Sequence, residues 1–186
     1  MRAWNRPRDA GGRRPQPRGR AIREVNRPVR VRDLIGGLIG DGPIVAAAAL
    51  VLMDEGQATA RGAAVLARIV AHATHSQAPE WFTTAPVAAI QKVLDKAGWK
   101  VGEVDLFEVN EAFAVVAMAP IRELGIDHAK LNIHGGACAL GHPIGASGAR
   151  LIVTLIHALQ RTGGKRGVAA LCIGGGEATA IAIELP

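Results

Sequence analysis

At 186 residues and 49% hydrophobic content, the chain can bury one sizeable core, which excludes disorder throughout. Its formal charge of +6 comes from the front: residues 1–33 hold eleven arginines against Asp9, Glu24 and Asp33, whereas the remainder holds eleven basic and thirteen acidic residues. The body is therefore mildly acidic, which speaks against a nucleic-acid partner, and no run reaches the roughly 18 apolar residues of a membrane span.

Residues 1–43 are rich in Arg, Gly and Pro, with Trp4 as the only aromatic and no apolar period, a composition that predicts a disordered arm. The absence of Ser and Thr sets it apart from a transit peptide. Arg, Gly, Pro and Ala are also what GC-rich codons yield in any frame, so a shifted frame or mis-assigned start is an alternative origin for the arm. Cys138 and Cys172 are too few for a disulfide framework and fit free thiols in a reducing compartment, so a cytoplasmic location with no membrane partner is expected.

From residue 44 to 186 the pattern alternates between strand and helix and predicts one domain. Leu50 to Met53 reads as a short buried strand and Asp54 to Gly62 as a helix closed by glycine. Val65 to Ala71 reads as a strand, Pro86 to Ala97 as an amphipathic helix ended by Gly98, and Val104 to Val109 as another strand. Glu111 to Leu124 is predicted helical, with Pro120 kinking it, and Lys130 to Ile133 is predicted as a strand entering a glycine-rich loop. In Gly145 to Arg161, Leu151, Ile152, Leu155, Ile156 and Leu159 form a helical apolar stripe. Val168 to Ile173 and Ala178 to Leu185 are strands around a glycine triplet. The order implies a layered α/β domain with a mixed sheet and helices on its faces.

Three segments place polar or reactive groups at predicted strand ends, where α/β proteins build sites. They are Asn110-Glu111-Ala112-Phe113-Ala114, the run Asn132 to Gly148 (NIHGGACALGHPIGASG), and Cys172-Ile173-Gly174-Gly175-Gly176. Read alone, each residue has two uses. His142, before Pro143, can cap a helix start or move protons. Cys172 can be a buried small hydrophobe or a thiol acid. Asn110 can cap the helix after it, or donate and accept at once. Gly174 makes a hairpin turn and also allows close approach to a ligand. His134, Cys138 and His142, four apart, would share a metal-binding face on a helix, but Gly135, Gly136 and Gly141 argue against any helix there. No metal is expected. His72, His75, His128 and His157 are expected to be solvated or to lie on helix faces, and no GxGxxG or GxxxxGK[ST] phosphate cradle occurs.

In family order, these three motifs resemble the thiolase family, over roughly the last three quarters of the chain. The resemblance implies the C-terminal, thiolase-like half-domain of an acyltransferase that passes acyl groups between coenzyme A thioesters, with acyl-CoA or CoA as partner and no separate cofactor. It implies that His142 activates a nucleophilic cysteine and donates to a thioester oxygen, and that Cys172 protonates the leaving group and abstracts an α-proton in reverse. It further implies that Asn110 holds a water, that the N–H of Gly174 joins an oxyanion hole, that Phe113, Ala112 and Gly141 contact substrate, and that Cys138, at a variable apolar position of the family, packs in the core. The nucleophilic cysteine would lie in a preceding half of similar fold. No cysteine precedes Cys138 here, so a truncated chain is expected, without the covalent route when alone, and oligomeric or paired with the complementary half-domain. A non-catalytic CoA-binding or thiolase-associating module is the alternative.

Overall fold

The computed structural model describes residues 47–186; the predicted arm, and with it the join at residue 44, lie outside the described residues. The order of elements follows from where apolar periods meet caps. Helix α1 (Glu55–Ala60) is opened by Asp54, whose carboxylate accepts from Gly56 N at 2.8 Å and Gln57 N at 3.4 Å. Strand β1 (Arg68–Ser76) and helix α2 (Ala85–Ala97) follow, and α2 stops at Gly98 in the left-handed region. Next come β2 (Leu106–Val109), α3 (Ala114–Leu124), the short α4 (Ala137–Leu140) and the long α5 (Ile144–Thr162). The chain ends in the hairpin of β3 (Arg166–Ile173) and β4 (Glu177–Glu184).

The sheet order is β1-β4-β3-β2, with β1 and β3 antiparallel to β4 and β2 parallel to β3. This is the predicted mixed sheet, and residue alternation splits its two faces between different helices. Phe107, Val109, Val168, Ala170 and Cys172 pack with Ile90, Val93 and Leu94 of α2 and Val116 of α3. Leu106 and Ala169, on the other face, pack with Leu151, Leu155 and Leu159 of α5. Each of these fully buried leucines contributes about 1.5–3 kcal/mol, so α5 is held to the sheet mainly by its stripe. No helix among the described residues is long and apolar enough to cross a membrane.

Several predicted elements differ. Leu50 to Met53 is not a strand: it pairs with nothing in the sheet, and Val51 and Leu52 are 85% and 72% exposed. Local hydrophobicity supplies no ladder partner. Strand β1 begins three residues later than predicted and runs to Ser76, because its extent follows the register from Arg68↔Glu184 to Ser76↔Glu177 on β4. Lys130 to Ile133 is a 3-10 turn (His128–Lys130) followed by a single bridge from Leu131 to Phe107. Helix α3 begins at Ala114 rather than Glu111, since the Glu111 side chain is drawn towards the glycine-rich loop. Pro120 is buried within α3.

Candidate active site

The site forms where β2 ends, α5 begins and the glycine-rich loop passes between them. Asn110 follows β2, its N–H donates to the carbonyl of Ala170 on β3 at 2.9 Å, and it is 0% exposed. It is not a helix cap: its Nδ2 faces His142 Nε2 at 3.4 Å. On the far side of the ring, His142 Nδ1 lies 2.7 Å from Ser147 Oγ. That hydroxyl donates its single hydrogen to the carbonyl of Pro143 at 3.0 Å. It therefore accepts from Nδ1–H, which leaves the lone pair on Nε2, where Asn110 donates. The other amide atom, Asn110 Oδ1, is buried and has no hydrogen-bond partner among the described residues.

The loop carrying His142 is strapped to β2 by two side chains. Asn132 takes a left-handed backbone (φ 50°), tolerated by asparagine. Its Oδ1 accepts from Val109 N at 2.8 Å and its Nδ2 donates to Val109 O at 2.9 Å, so the amide acts as an extra strand residue. Nδ2 also donates to Glu111 Oε1 at 2.8 Å, and the N–H of Cys138 donates to Glu111 Oε2 at 3.0 Å. Burial raises the pKa of Glu111, but the hydrogen bonds from Asn132 and Cys138 and the nearby Arg150 outweigh it and hold the carboxyl below its ordinary value. A Cβ on Gly136 would fall 2.2 Å from Glu111 Cδ, so only glycine lets the loop lie this close.

Cys172, near the end of β3, lies two residues beyond the carbonyl that receives Asn110 N–H. It is buried among the residues of the α2 face, and burial pushes its thiol up. Among the described residues no hydrogen bond joins it to His142 or Asn110, so the fold brings His142 and Asn110 together and sets Cys172 on the neighbouring strand. Gly174 lies in the exposed turn between β3 and β4. In that turn it is Gly176 that is conformationally required: its φ is +94°, and a Cβ there would meet Gln77 O.

The remaining predicted residues divide. Gly141 (φ 88°) closes α4 and hands the chain to His142, and Ala112 is half-buried against the core. Phe113 is neither in the helix nor in the core. It is 60% exposed and meets Phe82 edge-on at 6.2 Å. Cys138 is exposed rather than packed in the core, because it lies on the outer side of α4. A helix does occur between the glycines, but it spans only Ala137–Leu140, so His134 and His142 fall outside it and share no face with Cys138. His75 is a half-buried strand residue, placed 3.0 Å from both Gln77 Oε1 and Lys92 Nζ. Sequence reasoning gave no individual role to Glu111, Asn132 and Ser147, although they lie within the segments it singled out, and it missed Glu108 and Arg150 altogether. The signal for these last two was a charged residue beside an apolar run, which is buried only when paired.

A family model described as the C-terminal domain of thiolase matches residues 63–185. Over 138 residues, 74% of this chain, it is 54% identical to a probable acetyl-CoA acetyltransferase of Dictyostelium discoideum and 52% identical to the cytosolic acetyl-CoA acetyltransferase of Mus musculus. These matches cover 33% and 35% of those proteins, so the chain spans about a third of the length of the curated relatives it matches. The crystal structure of the Bacillus anthracis acetyl-CoA acetyltransferase superposes with a TM-score of 0.70 at 43% identity, over 72% of this chain and 34% of that one. Human mitochondrial 3-ketoacyl-CoA thiolase in complex with CoA gives 0.69 at 43% identity, over 71% and 34%. With motifs at the ends of β2 and β3 and on the glycine-rich loop, and with its mixed sheet between helices, the chain belongs to the thiolase family, to which it corresponds through the C-terminal domain.

Proposed function

We propose that the chain supplies the acid/base half of a thiolase-type acetyl-CoA acetyltransferase, forming or thiolysing acetoacetyl-CoA and related 3-ketoacyl-CoA thioesters. The observation that carries this is the Asn110–His142–Ser147 arrangement, in which Ser147 fixes Nδ1–H and leaves Nε2 able to accept. Nε2 takes the proton of a nucleophilic thiol, and the imidazolium then donates to the thioester oxygen as charge builds there. The buried Oδ1 of Asn110 accepts from a water that shares this task. Cys172, kept as the thiol by burial, gives its proton to the α-carbon of the departing acetyl-CoA enolate in thiolysis. In condensation its thiolate takes that proton back. The N–H of Gly174 completes the oxyanion contacts, and Phe113, Ala112 and Gly141 border the substrate.

The acyl-accepting thiolate comes from a cysteine outside these roles, on a complementary half-domain or a second chain. Ile144, 84% exposed, and the exposed Leu140 flank His142 and support such a docked half. The CoA-bound human relative supports a CoA thioester as ligand, the cytosolic mouse relative supports a cytosolic place, and the chemistry calls for no metal or redox cofactor. The test is to give the chain acetoacetyl-CoA and CoA, alone and mixed with a nucleophile-bearing thiolase N-terminal half. Binding is expected in both, with turnover only in the mixture, falling about 10²–10⁴-fold in H142A and C172S. Failure to bind acetoacetyl-CoA, or turnover untouched by H142A, sinks the assignment.

A further inference from the structure

His142 and Asn110 ride on different elements. His142 is held through Ser147, in the first turns of α5, whereas Asn110 extends β2. Their 3.4 Å separation therefore depends on how far α5 slides along the sheet. The apolar contacts between the two layers, Leu151, Leu155 and Leu159 against Leu106 and Ala169, are non-directional and tolerate small shifts.

One contact across the same interface is directional. Arg150 Nη1 donates to Glu108 Oε2 at 3.3 Å. Arg150 lies three residues after Ser147, nearly one helical turn, and Glu108 lies two residues before Asn110, on the same face of the strand. The ion pair thus repeats the α5-to-β2 contact of the site one step deeper. It is also a poor stabiliser. The side chains are 18% and 2% exposed, so both charges have lost most of their water. Arg150 Nη2 is buried and without a hydrogen-bond partner among the described residues. Burial, opposed by Arg150, leaves the Glu108 carboxyl raised to about 7. A buried pair of this kind adds little to stability, and its best-attested use is to fix one register among several that apolar packing would accept.

We propose that Glu108 and Arg150 are positioning residues whose directional contact sets the register of α5 against β2, and through it the distance from His142 to Asn110. The inference rests on the proposed role of that pair of residues. Its test is nuclear magnetic resonance on the labelled chain, following solvent exchange of the Asn110 Nδ2 protons and their cross-peak to the His142 ring. In E108L/R150M, which replaces both charges with apolar groups of similar volume, the melting temperature is expected to hold or rise. Asn110 Nδ2 exchange is expected to accelerate at least about tenfold, equivalent to about 1.4 kcal/mol, with loss of the cross-peak. The Nδ1–H to Ser147, internal to the start of α5, should stay protected. E108Q keeps the volume and one acceptor and should retain the cross-peak while speeding exchange about threefold; it decides the matter if the double variant does not fold. Rates within roughly twofold of wild type in a folded variant overturn the positioning role alone. A wild-type chain without the Asn110 to His142 cross-peak overturns the site geometry itself, and the positioning role with it.

Discussion

The carboxylate of Glu111 accepts the backbone N–H of Cys138 at 3.0 Å, across a gap that Gly136 keeps open. Any side chain on Gly136 would overlap that carboxylate, and the carboxylate cannot swing aside without giving up Asn132 and Cys138. Gly136→Ala is therefore expected to destabilise by about 1–3 kcal/mol, the usual cost of overpacking. Urea denaturation should show a lower midpoint with unchanged slope, and a midpoint equal to wild type would contradict the close approach.

Asn132 carries more than one bond, and its variants can be ranked. Asn132→Ala leaves the N–H and C=O of Val109 buried without their partners, for a loss of about 2–4 kcal/mol. Asn132→Asp keeps the acceptor for Val109 N but cannot donate to Val109 O, and it sets a second carboxylate against Glu111. It should match or exceed the alanine loss at pH 7 and recover part of it as the pH falls and the acids protonate. A ranking with aspartate milder than alanine at pH 7 would show that donation to Val109 O and Glu111 is not what matters.

The fold was legible in the sequence wherever an apolar period met a local stop. The end of α2 at Gly98 and the hairpin at Gly174 to Gly176 are local events, and both were readable. The extent of β1 was not, because it is set by pairing with β4 about a hundred residues away. The site was half legible. His142, Asn110 and Cys172 stand out as reactive groups at strand ends, and two of the three meet. Glu108, Ser147 and Arg150 looked like ordinary polar residues, because what distinguishes them is a partner: His142 for Ser147, and each other across β2 and α5 for Glu108 and Arg150. Cys138 was misread because the resemblance places it at an apolar position of the family, yet here α4 turns it outward.

The two thiols should report this difference. Slight desolvation and the neighbouring Glu111 push the Cys138 thiol up, so its reaction with an aromatic disulfide reagent should be slow at neutral pH and quicken as pH rises. Cys172 is buried and its thiol is also raised, so it should react far more slowly than Cys138 in the native chain. One fast-reacting thiol is expected in the native chain and none in C138S. Fast labelling that survives C138S would place Cys172 at the surface.

Glu108 and Glu111 pull the pH dependence of stability in opposite directions, and the sign follows from each shift. Glu108 is raised from 4.5 to about 7, chiefly by burial, with Arg150 opposing and Glu111 adding. The native state thus holds this proton more tightly than the unfolded chain, so stability falls as pH rises between about 4.5 and 7 and levels off above that. The full loss is of order 3 kcal/mol. Glu111 is lowered, so its contribution is present above the unfolded value and disappears as pH drops below it, on the acid side of the Glu108 window. Glutamine at position 108 cannot titrate and resembles the protonated acid. E108Q should therefore lie within about 1 kcal/mol of wild type at pH 5 and exceed it by about 2–3 kcal/mol at pH 8. Urea denaturation of both chains from pH 5 to 8 makes the comparison, since every other titrating group cancels between them. Curves that stay parallel across that range would mean that Glu108 is ionised throughout and that Arg150 compensates fully for its burial.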